Sequence, residues 1–510
     1  MSGRRLLQGG VRLGLGQGVA QGCALGRNVI LARLISPENF GIAAAFAMTY
    51  ALLDMMSQLA ADVQMVQADD GEREGFQATA QAVQALRGLG IAMALVLLAR
   101  PVAGLFGAPQ AVWAFAALAG LPLLRGVTHL DLYRAQRHLD FAPAVRTEIA
   151  ANAASLLAAL PLALWRRDYS AMLGLLLLQA AVYTAASHWR AQRRYRWAWE
   201  KEVVRRIAAF GWPLVINGLL MYGIFQSDRL VIGAAPRMLA GNRYTLAGLG
   251  TYSAAFALAM ALFVLLSNGA GQLFLPWLAR AAAQREEFLR RYGTVCHAAT
   301  VVAVVAALPL IALGPWVVRA VYGARYAAAG AVLAGLAAMF GLRLMRVPPT
   351  LAAMAMGDTK NAMWSNLARS AALLAVLGAA ARNAPLAYLP LCGVAGEALA
   401  LWVSIRRLRR RQGIGSESLV RALPVTVAGA LLAAWPMAAG HAMEFSQSLA
   451  AAVGSTALTV AALTWLLPQM KYEMSEVAEV LLRRGETPRR TAEQASAAIS
   501  AAPLSTVGEG

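Results

Sequence analysis

Cysteine, acid and charge in general are scarce in this chain. Cys23, Cys296 and Cys392 lie in separate apolar stretches with no CxxC or metal-like spacing, which argues against a disulfide scaffold and a thiolate metal centre. They read as small core residues. Charged residues fill 14% of the 510 positions, against about 25% in a soluble globular protein, while hydrophobic residues fill 59%. No HExxH, P-loop, GxSxG or paired-carboxylate loop motif is present, so no enzyme signature stands out. No connection is long enough to form a soluble catalytic domain, and the sequence calls for no cofactor and no metal.

What is present is apolar length. Runs of about 20 residues, each able to cross a hydrocarbon core of about 30 Å, recur along the chain. They are continuous rather than alternating, which excludes a β-barrel and predicts an all-α polytopic membrane protein. The expected spans are 13–34, 40–61, 79–99, 111–132, 144–164, 170–189, 207–232, 249–273, 295–318, 328–352, 361–381, 385–405, 420–439 and 448–467. The basic N-terminus lacks the clean apolar core and cleavage site of a signal peptide and is read as the start of a retained first span.

Acids number 26 against 46 Lys and Arg, giving a formal charge of +20. The basic residues cluster in short connections, as Arg190, Arg193, Arg194, Arg196, Lys201, Arg205 and Arg206, and again as Arg406, Arg407, Arg409, Arg410 and Arg411. Such clusters hold a loop in the cytoplasm, so the charge reports topology rather than nucleic-acid binding. With both termini inside, the cytoplasmic side carries roughly three times as many Lys and Arg as the other, as the positive-inside rule requires. The basic linker near 190–206 divides the chain. The expected organisation is an N-terminal six-helix lobe (1–195), a C-terminal six-helix lobe (196–411), two additional helices (412–470) and a partly disordered tail (471–510) that opens with an amphipathic Val477, Val480, Leu481 pattern.

A weak repeat supports that division. Phe40-Gly41-Ile42-Ala43-Ala44-Ala45-Phe46 opens the second span and Leu249-Gly250-Thr251-Tyr252-Ser253-Ala254-Ala255-Phe256 the eighth. Parallel six-span repeats suit a two-lobed transporter with a central site.

Polar residues inside the spans carry the functional signal. A mid-bilayer charge costs roughly 2.5–3.5 kcal/mol on insertion scales, so retained charges point at protein or a polar cavity. Arg27, Arg125, Arg343 and Arg369 stand inside otherwise apolar runs, and guanidinium forks match phosphate oxygens. A cavity holding them would suit a diphosphate; the alternative is pairing with Asp54, Asp131 or Glu397. Gln17, Gln21 and Asn28 share one face of the first span. Glu397, mid-span, is either a proton or Na⁺ site or the counter-ion of Arg343 or Arg369; Asp54 is a second coupling-ion candidate. Asp228 and Arg229 are expected to pair. His129, four residues after Arg125, is expected on the same face of the fourth span. Pro213, the stretch Ser267–Gln272 and Pro348-Pro349 are expected to break the seventh, eighth and tenth spans.

At this point the chain resembles a known family. Leu31-Ala32-Arg33-Leu34-Ile35-Ser36-Pro37-Glu38-Asn39-Phe40-Gly41 is similar to the LARLLxPxxFG first-hairpin signature of bacterial polysaccharide-export flippases. Tyr133 to Phe141 with Glu148, Asp228 to Gly233 with Leu249 to Tyr252, Tyr322 to Tyr326, and Ala355 to Asp358 fit the same family more loosely, over about 10–410. The resemblance implies a Wzx-type oligosaccharide flippase of the multidrug/oligosaccharidyl-lipid/polysaccharide exporter superfamily, with a MATE-like bundle of about 14 helices (6 + 6 + 2). Its implied substrate is an undecaprenyl-diphosphate-linked oligosaccharide, crossing the bacterial inner membrane for exopolysaccharide or O-antigen production. A polysaccharide polymerase and export proteins are implied partners; nucleic acid is not. In the related lipid II flippases first-span arginines contact the diphosphate, which implies that role for Arg27 and Arg33. Asn28 stands where those proteins typically carry Asp. The candidate substrate set is therefore Arg27, Asn28, Arg33, Arg125, Arg343 and Arg369. A cation-coupled multidrug antiporter of the same fold would favour acids over arginines in its lobes. An integral-membrane polymerase would need a large periplasmic loop.

Overall fold

The computed structural model describes residues 3–57, 59–138, 140–438 and 444–467, and among them every regular element is a helix. The first half comprises α1 (Gly3–Leu34), α2 (Pro37–Ser57), α3 (Ala61–Gln67), α4 (Glu74–Leu105), α5 (Val112–Ala117), α6 (Gly120–Gly126), α7 (Asp131–Arg137), α8 (Ala142–Arg166) and α9 (Tyr169–Trp189). After an extended segment come α10 (Lys201–Met238), α11 (Leu246–Ala279), α12 (Arg285–Tyr322), α13 (Ala329–Met345), α14 (Val347–Ala355), α15 (Lys360–Arg369), α16 (Ala372–Ala381), α17 (Leu389–Gln412), α18 (Glu417–Ala438) and α19 (Phe445–Leu466). The expected tail pattern lies outside the described residues.

Eleven of these helical segments are long and apolar enough to cross a membrane, and twelve if Pro109–Gly126 with Asp131–Arg137, bent by 49°, counts as one span. The chain is a multi-pass membrane protein. Helix α1 and the α15–α16 pair occupy the expected first and eleventh spans but fall short of that measure. The first is diluted by Gly, Gln and Arg; the second begins with polar Lys360, Asn361, Ser365 and Asn366 and breaks after Arg369.

Three expectations about helix continuity need correction. Helix α11 runs unbroken through Ser267–Gln272, and α10 through Pro213. In hydrocarbon an unmade backbone hydrogen bond costs several kcal/mol, more than the roughly 1 kcal/mol penalty of a helical glycine, so the helix persists. The fourth span, by contrast, is not continuous. It stops at Gly126, and His129 sits in the non-helical turn before α7 rather than on a shared face with Arg125. There its ring packs edge-on to His188, 5.3 Å between centroids, and against Tyr195. The tenth span breaks as expected, at Arg346, with Pro348 in the first turn of α14, where a missing N–H costs nothing.

Helices α1, α8 and α9 pack side by side, as do α4 and α6; α12, α13, α17 and the α18–α19 pair form a second body. The two bodies meet where α2 lies against α11 and α10, and α1 against α11. At the end where α1 finishes and α2 starts, the contact is backbone to backbone. A Cβ at Gly41 would overlap the carbonyl oxygen of Leu246, and one at Gly250 that of Pro37. These glycines are equivalent positions in the sequence repeat, so the repeat segments of the two lobes face each other. The extended segment 190–200 is fastened to the first lobe: Gln81 donates to Arg196 O (3.0 Å) and Asp131 accepts from the Gln192 N–H (2.8 Å). Trp165, Trp189, Trp435 and Trp465, each near the end of its helix, are exposed, as suits a residue that favours membrane interfaces.

Candidate substrate site

In the first lobe Arg27 is buried between α1, α8 and α9. Its guanidinium donates to Ser155 Oγ (3.3 Å) and Gln179 Oε1 (2.7 Å), and its Nε has no partner. Gln179 in turn donates to Asn152 Oδ1 (3.1 Å), and Asn152 to Glu148 Oε1 (2.8 Å). Both direct partners of Arg27 are neutral.

Gln179 also lines an open cavity of about 470 Å³ bordered by α2, α3, α4, α6 and α9, with Tyr133 of α7 among its lining residues. Arg87 and Asp54 form an ion pair on its wall. Arg125 enters from α6 with its guanidinium over the Tyr183 ring, 4.1 Å from the centroid, and makes no ion pair among the described residues.

The second lobe uses its arginines differently. Glu397 on α17 is fully buried and receives three of them: Arg369 (2.7 Å), Arg346 (3.1 Å) and Arg343 (4.0 Å). Arg346 also donates to Ser365 Oγ (3.2 Å), and the Phe225 ring of α10 faces Arg343 and Arg369 at 4.4 and 5.1 Å. Arg343 is the least enclosed, its side chain 23% exposed against 8% for Arg346 and 7% for Arg369. Beside Arg369 only about 20 Å³ stays free. The expected Asp228–Arg229 pair does not form among the described residues. Consecutive residues diverge by about 100° around a helix. Asp228 instead accepts from Tyr252 Oη (2.7 Å), and Arg229 lies over Phe256 (4.1 Å). An apolar groove of about 470 Å³ is lined by α12, α13, α17 and α18.

The structure thus brings Arg343 and Arg369 together and sets Arg27 and Arg125 on either side of Gln179, but it divides the four between two lobes. Arg33 joins neither group. It donates to Ala320 O and, at 2.7 Å, to Val321 O at the end of α12, linking the lobes where Gly41 meets Gly250. Asn28 is half-buried, and its side-chain oxygen has no partner. Both coupling-ion candidates, Glu397 and Asp54, are ion-paired. Sequence reasoning missed Arg87, Arg346 and Gln179. Each was legible by the signal that found the others: a polar residue alone in an apolar run, or, for Arg346, one turn beyond Arg343.

The profile of a family described as polysaccharide biosynthesis protein matches residues 30–330, more than half of the chain. The chain belongs to that family. Several solved structures share the fold of this polysaccharide biosynthesis protein. A lipid II flippase, MurJ, in an inward closed conformation matches with a TM-score of 0.67 at 12% identity, over 88% of this chain and 98% of that one. An inward-facing multidrug resistance MATE family transporter of the MOP superfamily matches at 0.56 and 15% identity, over 76% and 95%. A MOP superfamily transporter from Pyrococcus furiosus, described as having a binding pocket of reversed polarity, matches at 0.52 and 13%, over 79% and 95%. At these identities the likeness is one of fold: a two-lobed MATE-like helical bundle. No curated protein matches the chain.

Proposed function

We propose that this polysaccharide biosynthesis protein is a flippase that carries undecaprenyl-diphosphate-linked oligosaccharide across the bacterial inner membrane. The observation that carries the reading is the excess of guanidinium over carboxylate inside both lobes. Arg27 is held only by neutral groups, and three arginines surround one glutamate. That surplus of positive charge in a low-dielectric interior suits an anionic headgroup and opposes an organic cation. Arg27 and the half-freed Arg343 are the diphosphate contacts in this reading, with Asn28 beside Arg27. Arg125 lines the first-lobe cavity, while Arg346 and Arg369 hold Glu397 as a counter-ion rather than a coupling-ion site. The lipid tail stays in the bilayer, along the apolar face that the α18 groove continues.

The clustering of basic residues at the α9–α10 end supports a cytoplasmic placement for that end, and the Gly41–Gly250 contact is then the closed periplasmic side. Arg33, bonded across that contact, holds it shut. Transport proceeds by rocking the lobes about this contact, with a polymerase and export proteins taking the product. The test is translocation of a fluorescent undecaprenyl-diphosphate oligosaccharide in liposomes, read by accessibility to a membrane-impermeant reagent. Protein-dependent flipping that falls at least about tenfold in Arg27→Ala, a loss of about 1.4 kcal/mol, is expected. Flipping unchanged in that variant removes Arg27 from the mechanism. Efflux of a cationic dye without lipid flipping would make the protein a drug antiporter.

A further inference from the structure

We infer that the first-lobe cavity is the subsite for the glycan, a reading that rests on the flippase assignment above. At about 470 Å³ the cavity falls within the range of about 300–1,000 Å³ that small-molecule sites occupy, whereas the pocket beside Arg369 in the second lobe holds about 20 Å³. A short oligosaccharide fits the first-lobe cavity and not the pocket beside Arg369.

Its chemistry narrows the ligand. The wall carries two guanidiniums, Arg87 and Arg125, and two carboxylates, Asp54 and Asp62, so its formal charges cancel. A bare phosphate would meet the carboxylates, and an organic cation the guanidiniums. Arginine only donates and aspartate only accepts, while the Tyr133 hydroxyl and the side-chain amides do both. A ligand that presents a donor and an acceptor at every hydroxyl satisfies all of them at once; a neutral polyhydroxyl chain is such a ligand. Tyrosine rings at the wall add flat apolar faces for the ring C–H groups of a sugar.

Position links the cavity to the headgroup site. Gln179 is part of the cavity wall and also accepts from Arg27 (2.7 Å), so the proposed diphosphate contact and the cavity lie one side chain apart. A diphosphate at Arg27 therefore directs the part of the glycan beyond its first sugar toward this wall. The floor is fixed by α3, entered through Ala60 at φ +50°, a left-handed conformation uncommon for alanine, which sets Asp62 in the first turn of the helix. The size and polarity of this cavity would then decide which glycan is carried, independently of the arginines that bind diphosphate.

The test compares two fluorescent undecaprenyl-diphosphate carriers in liposomes, one bearing a single sugar and one a full oligosaccharide. The variants are Asp62→Asn and Tyr133→Phe, which alter one hydrogen-bonding group each and keep its shape. Matching melting temperature and monodispersity with the wild type establishes that each variant is folded, and either one suffices. The expected result is an about three- to tenfold slower flipping of the oligosaccharide carrier, the worth of one hydrogen bond, with the single-sugar carrier within twofold of wild type. Equal slowing of both carriers, or of neither, overturns the glycan subsite while leaving the flippase reading intact. A wild-type protein that flips neither carrier overturns both readings.

Discussion

The two lobes keep arginine in the membrane in opposite ways. In the second lobe, Arg343, Arg346 and Arg369 converge on one fully buried carboxylate. In the first, Arg27 and Arg125 have amide, hydroxyl and aromatic neighbours beside a cavity. A buried guanidinium with a carboxylate is part of the architecture; one with neutral partners beside open volume is available to a ligand. The same residue type, legible in the same way in the sequence, therefore divides into arginines that share a carboxylate and arginines with neutral partners.

The largest expected effect tests the structural half of that contrast. Glu397→Gln leaves three buried guanidiniums without their counter-charge and should cost about 3–5 kcal/mol, read as a lower melting temperature and loss of monodisperse protein in detergent. The equivalent change in the first lobe, Asp54→Asn, breaks a pair whose side chains are 22% and 37% exposed and should cost about 1 kcal/mol or less. Equal losses in the two variants would break the contrast.

An intermediate effect sharpens the picture at the contact between the lobes. Gly41→Ala places a methyl group against the Leu246 carbonyl and should disfavour the closed end by about 1–3 kcal/mol, seen as longer spin-label distances between α2 and α11. Gly269→Ala, where an added Cβ meets nothing within 4 Å, should leave those distances unchanged. Identical behaviour of the two variants would mean that the Gly41–Gly250 contact does not set the closed state.

The smallest effect lies outside the membrane. Arg206 at the start of α10 donates to both oxygens of Asp70, each at 2.9 Å, and this holds the Asp70 carboxyl below its ordinary pKa. A carboxyl lowered in the folded state stabilises above its unfolded value of about 4 and loses that contribution as pH falls through the folded value. Because Asp70 and Arg206 are both more than a third exposed, the effect is small. Melting curves in acid should converge for wild type and Arg206→Ala below about pH 4, with wild type slightly ahead at neutral pH. A gap that widens toward acid would contradict the pairing.

Much of the fold was readable in advance. The expected spans fall on helices or broken helix pairs because twenty apolar residues in hydrocarbon have no other way to satisfy their backbone. Pro37-Glu38-Asn39-Phe40-Gly41 marked the first hairpin, and Pro348-Pro349 the break in the tenth span. Less legible were the local exceptions. Nothing in the apolar count of 111–132 shows that the chain leaves the helix after Gly126, because the reason lies in partners distant in sequence: Ser187 accepts from the His129 N–H (2.9 Å) and Thr184 donates to Leu124 O. Likewise Asp228 and Arg229, adjacent in sequence, look paired until the helix points them at Tyr252 and Phe256.

By itself the sequence determined the class, the placement of most of the long helices and the presence of costly buried arginines. Those properties follow from local apolar length and from the price of a charge in lipid, which need no knowledge of neighbours. Which arginines share a carboxylate, which border a cavity and which bridge the lobes was decided only by tertiary packing. Glu397 and Arg346 are 51 residues apart, Arg27 and Gln179 are 152, and Arg33 reaches a carbonyl 288 residues away. Charge pairing depends on distances of a few ångströms in a low-dielectric interior, and periodicity along one helix carries no information about the face that another helix will turn toward it.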